Sequence, residues 1–274
     1  MLIKTIDDVH NCCLETLQAF DSFCKSHNIE YYIAYGTLLG AVRDGDFIPW
    51  DDDIDVVLKR DQYNKLLSIP KSEYPEGFII ETPCQNGIFY DFIPQFINLK
   101  HEGIRINAED YYTYSDSKFN PGMDLFILDE CSPGLRHKFQ ILRMRTYYLL
   151  ARGHRQFKKN YSKGGKHHYL LNTLANVLGF IGKHMNLDKI YRKYEQTSSK
   201  YTGSQNYFPS NVILSVLTTV YSKELFEKSV FVKIRGVSFP SPADYNTYLT
   251  IEYGDYMSPP PEQNRAPYHY KLES

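Results

Sequence analysis

The sequence predicts an α+β fold, a mixed sheet flanked by helices, with a helical insertion and a C-terminal hairpin followed by a helix. Three observations carry that expectation. Residues 30–58 read as strand, glycine turn, helix, loop, strand. Short aromatic and β-branched runs recur up to Glu130, as strands do. From Arg136 the character turns to long helices, until a hairpin signal returns at "VFVKIRGVSFP".

In order, the first helix starts at Thr5, whose hydroxyl can cap it with Asp8 three residues on. Val9, Cys13, Leu17, Phe20 and Cys24 then recur every three or four residues as one buried face. "EYYIAYG" reads as a strand ending at Gly36, and "TLLGAVR" as a brief helix. "DGDFIP" supplies turn chemistry before a strand at "IDVVL", residues 54–58. A helix over 61–67 precedes strands at "GFIIET", "FYDFIPQFINL" and "GIRI", and a further strand, "PGMDLFILDE", is entered through a Pro-Gly turn. A long basic helix is expected from Arg136 to Lys159, then a "YSKGGKHH" connector, an apolar helix over 169–182 and an amphipathic one at "LDKIYRKYEQ". Arg235 and Gly236 turn the last hairpin, a helix covers 243–253, and Pro259, Pro260 and Pro261 stiffen the tail. The chain divides into a core at 1–135, a basic and apolar helical region at 136–208, and a segment at 209–274 that completes the core.

With 274 residues, 42% hydrophobic and 23% charged, the chain can bury a substantial core and is not a disordered sequence. Its five cysteines, odd in number and without a CxxC pair, exclude a disulfide framework and a structural zinc site, so reduced thiols in the cytoplasm are expected. The start "MLIKTIDDVHNC" lacks the basic and apolar regions of a signal peptide. The segment "YLLNTLANVLGFIG" falls short of the roughly 20 residues that span a bilayer, so it reads as a buried or interfacial helix. The net charge of −1 hides an asymmetry: 131–187 holds no Asp or Glu but eleven Lys and Arg, leaving −12 for the rest. One region can therefore attract anions while another can ligate cations. Residues 136–166 are a candidate for peripheral contact with an anionic inner membrane face, and no nucleic-acid partner is expected.

The acidic region is concentrated at "DDDID", with Asp51, Asp52, Asp53 and Asp55 at the mouth of an apolar strand. Residues two apart on a strand share a side, so Asp53 and Asp55 project together while Ile54 and Val56 enter the core. Two carboxylates so close repel one another, and a divalent cation resolves the conflict. Mg²⁺ (or Mn²⁺) suits such a pair because it takes one or two protein carboxylates and completes its shell with water and phosphate oxygens. Asp124, inside the apolar "GMDLFIL", is the candidate third ligand or catalytic base, its alternative being a buried salt bridge to an arginine. Asp129, at the strand's exit, reads as a cap or turn residue. Gly36 and Thr37, at a strand-to-helix junction, could cradle a phosphate. A calcium hand is excluded, because "DDDID" lacks the glycine and distal glutamate of that loop.

"YGTLLGAVRDGDFIPWDDDIDVVL" resembles the first signature of the LicD family, which includes the fukutin-related enzymes. "GMDLFILD" resembles its second block, and "FPSPADYNTYLTIEYGDYMSPPP" its closing segment. The resemblance implies a nucleotidyltransferase-like fold, distantly similar to polymerase β, with Gly36 and Thr37 in place of the usual Gly-Ser. It implies metal binding by Asp53 and Asp55, with Asp124 as the third carboxylate. Family members move a phosphorylated alcohol, phosphocholine from CDP-choline or ribitol phosphate from CDP-ribitol, to a glycan hydroxyl. Many relatives carry His or Lys where this chain has Asp44, so Arg43 would have to meet phosphate alone.

The expected reaction is metal-assisted transfer of phosphocholine from a CDP-alcohol donor to a cell-surface glycan or its lipid-linked precursor, such as lipopolysaccharide or teichoic acid, with CMP leaving. Asp53, Asp55 and Asp124 would be catalytic, and Gly36, Thr37, Arg43, Trp50 and Asp52 would contact substrate. A quaternary ammonium has no N–H to donate, so aromatic walls are expected around it, Trp50 and some of the 24 tyrosines among them. The alternatives are ribitol-phosphate transfer, a DxD-type nucleotide-sugar glycosyltransferase, a nucleotidyltransferase moving CMP itself, and a noncatalytic cation- or glycan-binding module.

Overall fold

The computed structural model describes residues 1–84, 91–106, 118–155, 166–211 and 217–273. The capping pair at the start forms in both directions. The Asp8 N–H donates to Thr5 Oγ1 at 3.2 Å, and the Asp8 carboxylate accepts from the Thr5 N–H at 2.9 Å. This launches α1 (Ile6–Ser26), whose Val9, Cys13, Leu17, Phe20 and Cys24 are all buried. The expected face packs on the sheet, where Asn98 donates to Thr16 Oγ1 at 3.1 Å.

Seven strands form one mixed sheet: β1 (Tyr32–Ile33), β2 (Asp55–Lys59), β3 (Phe78–Glu81), β4 (Gln95–Asn98), β7 (Gly122–Glu130), β8 (Asn206–Pro209) and β9 (Tyr221–Ser222). Their order is β1-β2-β7-β4-β3, with β8 joined to β7 and β9 to β8. The β2–β7 pair is parallel and the other pairs are antiparallel. Strand β7 is the centre. It has β2 along one edge, while β4 and β8 share the other at residues 122–124 and 128–130. Its Leu125, Phe126, Ile127 and Leu128 are all buried, as a strand covered on both faces requires. A two-stranded ribbon, β5 (Gly103–Ile104) with β6 (Lys118–Phe119), lies apart.

The helices are α2 (Tyr35–Arg43), α3 (Arg60–Ser68), α4 (Leu135–Ala151), α5 (Lys166–Gly182), α6 (Leu187–Ser198) and α7 (Tyr245–Tyr253). The α+β expectation holds, with three local differences. The first strand shrinks to two residues because α2 opens at Tyr35. The basic helix stops at Ala151 and passes into a single turn at 152–154. Gly153 lies in that turn, where a Cβ would stand 2.0 Å from the Gly179 carbonyl oxygen, so only glycine lets α5 pack this close. Strands β8 and β9 have no counterpart in the sequence reading. The expected basic stretch beyond Arg155, most of the connector, and the start of "FYDFIPQFINL" lie outside the described residues. The last hairpin, β10 (Ser229–Ile234) and β11 (Val237–Pro242), turns as expected on Arg235 and Gly236, both at positive φ. Arg235 then fastens the hairpin tip to Asp46 and Asp7, each at 2.9 Å.

Asp129 is a correction. It is a buried strand residue, not a cap, and takes Arg60 Nε at 2.8 Å and a second guanidinium nitrogen at 2.5 Å. The remaining Arg60 nitrogen reaches Glu195 of α6 at 2.5 Å, so one side chain joins the sheet to the helical region. The buried ion pair foreseen as an alternative for Asp124 is thus the one Asp129 makes. Breaking it leaves a charge buried without its partner, which costs about 3–5 kcal/mol. Arg60→Met is expected to lower Tm by roughly 10 °C in thermal denaturation.

Candidate active site

The parallel register sets Asp55 of β2 directly beside Asp124 of β7, and Gln95 of β4 beside Asp124 on its other edge. Residues paired in register point to one side of a sheet, so these three polar groups form a row across three strands. Each is positioned by the fold. The Asp55 N–H donates to Thr37 Oγ1 at 2.9 Å, the Asp124 N–H to the Ile54 carbonyl at 2.9 Å, and Gln95 Nε2 to Asp124 Oδ1 at 2.6 Å. Asp53, two residues before Asp55, faces His269 Nε2 at 3.3 Å. Asp53, Gln95, Asp124 and His269 line a cleft of about 470 Å³ that also has Arg105 and Lys118 on its wall.

The electrostatics follow from this crowding. Burial, then Asp53, Asp124 and Asp51, push the Asp55 carboxyl well above the usual range. Burial, then Asp53 and Asp52, raise Asp51 to about 8. Asp124 rises to about 6, chiefly through burial, with the Gln95 hydrogen bond acting against it. For His269, burial opposes the charged ring, but Asp53, Asp52 and Asp124 outweigh it and raise the imidazole to about 9. Among the described residues, no three His, Cys, Asp or Glu side chains form a group that could hold a metal ion, so the expected cage of Asp53, Asp55 and Asp124 is not formed. What is formed is a two-carboxylate pair, Asp55 with Asp124, while Asp53 leans to His269 and Asp124 to Gln95. The donor set still suits a hard divalent cation: it is all oxygen, mutually repelling, and two carboxylates suffice where phosphate oxygens complete the shell.

The expected substrate contacts are redistributed. Gly36 is not the left-handed turn residue; Tyr35 is, at φ 46°, its ring held against Phe126 at 4.9 Å. Gly36 is needed for another reason: a Cβ there would lie 2.3 Å from Asp51 Oδ2. The first turn of α2, expected to cradle a phosphate, is thus covered by the protein's own carboxylate. Thr37 is buried and acts through the Asp55 backbone. Arg43 does not line the cleft: it pairs with Asp44 at 2.9 Å and lies over Trp50 at 5.9 Å. Trp50 carries Arg265 on its ring at 5.1 Å and is likewise outside the cleft lining. Asp52, at 4% exposure, accepts the backbone N–H groups of His269 and Tyr270 at 2.7 and 2.9 Å, which ties the C-terminal tail to the site. Gly36→Ala is expected to destabilise the fold by about 1–3 kcal/mol through overpacking, and Gly36→Ala with Asp51→Ala to recover most of it in the same melting assay.

His269, Gln95, Arg105 and Lys118 escaped the sequence reading. His269 arrives from the tail, whose Lys271 N–H donates to the Ile104 carbonyl at 2.7 Å and whose His269 carbonyl accepts from the Ile106 N–H at 3.0 Å. A lone histidine more than two hundred residues from Asp53 and Asp55 carries no local signal.

Two comparisons with known proteins bear on what the chain resembles. Residues 28–125, the stretch running from β1 through Asp124, match the family model described as "LicD/FKTN/FKRP, nucleotidyltransferase domain". Over that stretch the chain is similar to the LicD family. It is 29% identical over 286 aligned residues to the lipopolysaccharide cholinephosphotransferase LicD of Haemophilus influenzae (strain ATCC 51907 / DSM 11121 / KW20 / Rd), with 97% of this chain and 96% of that protein covered. The likeness therefore extends through the helical region. Among the described residues, no helix is long and apolar enough to cross a membrane.

Proposed function

We propose that this protein transfers phosphocholine from CDP-choline to a hydroxyl of a cell-surface glycan or its lipid-linked precursor, lipopolysaccharide foremost, releasing CMP. Similarity to the LicD family model and to a LicD cholinephosphotransferase supports a phosphotransferase. The observation that carries the reading is the in-register pair Asp55 and Asp124, of which Asp124, with Asp53, lines a cleft whose wall also bears cations, on what we take to be a nucleotidyltransferase-like sheet. Full-length similarity to a cholinephosphotransferase supports choline as the alcohol.

In this reading Mg²⁺ or Mn²⁺, held by Asp55 and Asp124 with Asp53 adjacent, would offset negative charge on the donor diphosphate. Arg105 and Lys118 bind the diphosphate from the cleft wall. The acceptor hydroxyl oxygen forms a bond to the phosphocholine phosphorus as the bond from that phosphorus to the CMP oxygen breaks, and the hydroxyl proton passes to the Asp124 carboxylate. Without the cation, burial lifts the Asp124 carboxyl to about 6, which makes it a stronger base than an ordinary carboxylate. Gln95 holds one Asp124 oxygen, which orients the other. For the trimethylammonium, Phe119 and Tyr270, with ring centroids 4.8 Å apart on the cleft lining, replace Trp50 as the aromatic wall.

The test is a donor screen by mass spectrometry with CDP-choline, CDP-ribitol and UDP-sugars, with and without Mg²⁺, in the presence of lipopolysaccharide acceptor. The expected result is CMP release and a phosphocholine-bearing acceptor from CDP-choline alone, dependent on the cation. Release of nucleotide from CDP-ribitol or a UDP-sugar instead, or an acceptor carrying CMP, would reject it.

A further inference from the structure

The helical region carries a surface that the reaction chemistry does not use. On α4, Leu135, Phe139 and Leu142 are 73%, 65% and 59% exposed. Their spacing of four and three gathers them within about 60° of the helix circumference. Arg136 and Arg143 are set about 80–90° to one side of that stripe and Lys138 about 70° to the other, all exposed. An apolar stripe bordered by cations on both flanks is the pattern of a helix lying in a membrane interface: apolar side chains enter the acyl boundary while Lys and Arg stems extend to the headgroups. Helix α5 packs against the end of α4, with Gly182 so close that a Cβ would stand 1.9 Å from the Leu150 carbonyl oxygen. It adds exposed Leu174, Val177 and Ile181, again spaced by three and four.

We propose that this face docks the protein on a bilayer rich in anionic lipid, with Leu135, Phe139 and Leu142 in the interface and Arg136, Lys138 and Arg143 on lipid phosphates. Charge complementarity selects this occupant. Residues 131–187 contain no Asp or Glu, so the α4 stripe has no carboxylate of its own segment to offer a second copy, and two such faces would oppose like charges. A zwitterionic surface satisfies the apolar stripe only. An anionic one satisfies both, at roughly fivefold in partitioning for each cation. The proposal rests on the helix surface and stands whether the reacting alcohol is choline or another.

The full-length protein is sedimented with vesicles of phosphatidylglycerol and phosphatidylethanolamine, or of phosphatidylcholine alone, and its mass in solution is measured by light scattering. Binding to the anionic vesicles is expected to exceed binding to phosphatidylcholine by at least tenfold and to collapse in high salt. Phe139→Ser with Leu142→Ser, and separately Arg136→Glu with Arg143→Glu, are each expected to cut anionic binding at least tenfold at unchanged Tm, since all four side chains are exposed. Three outcomes overturn the proposal: no binding of the native protein to anionic vesicles, binding that survives loss of the two apolar side chains, or an oligomer that those substitutions dissociate, which would make the face a self-interface.

Discussion

Asp55→Asn should give a protein that melts higher and transfers nothing. Asp55 is flanked by Asp124 in register and by Asp53 two residues upstream, and burial together with those neighbours pushes its carboxyl strongly up. The asparagine keeps the shape and the backbone bond to Thr37 but removes the repelling charge. At pH 8.5 in EDTA, where charge on the cluster is greatest, Tm is expected to rise by about 5 °C or more. Turnover should fall at least a thousandfold, because the carboxylate that would carry the cation is gone. Stability gained as activity is lost marks a residue kept for chemistry. A lower Tm together with residual activity would assign Asp55 to the fold.

The stability of the cation-free protein should decline steadily from pH 5 to pH 9. Asp124 and Asp51 hold their protons to about 6 and about 8 in the folded chain, against an ordinary value of 3.8. Between those limits the folded state binds protons that the unfolded chain has released, so stability is full below pH 4 and is lost as pH rises through the folded values. His269 slopes the same way: raised from 6.5 to about 9, it contributes below pH 6.5 and loses its contribution by pH 9. The combined fall in Tm across this window is expected to be at least about 10 °C. Millimolar Mg²⁺ should restore most of it at pH 8–9 and little at pH 5, because a cation favours the charged carboxylates. Differential scanning calorimetry across pH, with EDTA or Mg²⁺, reads this directly, and a profile indifferent to Mg²⁺ at pH 9 would contradict it.

What the sequence disclosed and what it withheld divide along a physical line. The Thr5–Asp8 cap, the Arg235–Gly236 turn and the helix boundary at Gly182 are local, set by residues a few positions apart, and all three are observed. The same holds for the alternation that turns Asp53 and Asp55 away from the core. The pairing of Asp55 with Asp124 is not local, yet it was accessible because an aspartate inside an apolar strand demands an explanation. Asp52 and Asp129 show the limit. Asp52 stands between two aspartates and Asp129 after an apolar run, but one accepts tail amides and the other an arginine from another element, and nothing within a few residues of either distinguishes them from metal ligands or caps. Arg43 is the opposite case: its partner is the next residue, Asp44, which the family resemblance marks only as a departure. His269 and Gln95 reach the site only through the path of the tail and the register of β4, which depend on the whole fold.

The central claim is that Asp55 and Asp124 together hold a divalent cation against the donor diphosphate. Electron paramagnetic resonance of Mn²⁺, titrated into the native protein, Asp55→Asn and Asp124→Asn with CDP-choline present, tests it most directly. The prediction is one tightly held Mn²⁺ in the native protein whose affinity drops at least tenfold in each variant. Equal Mn²⁺ binding by all three proteins would contradict it.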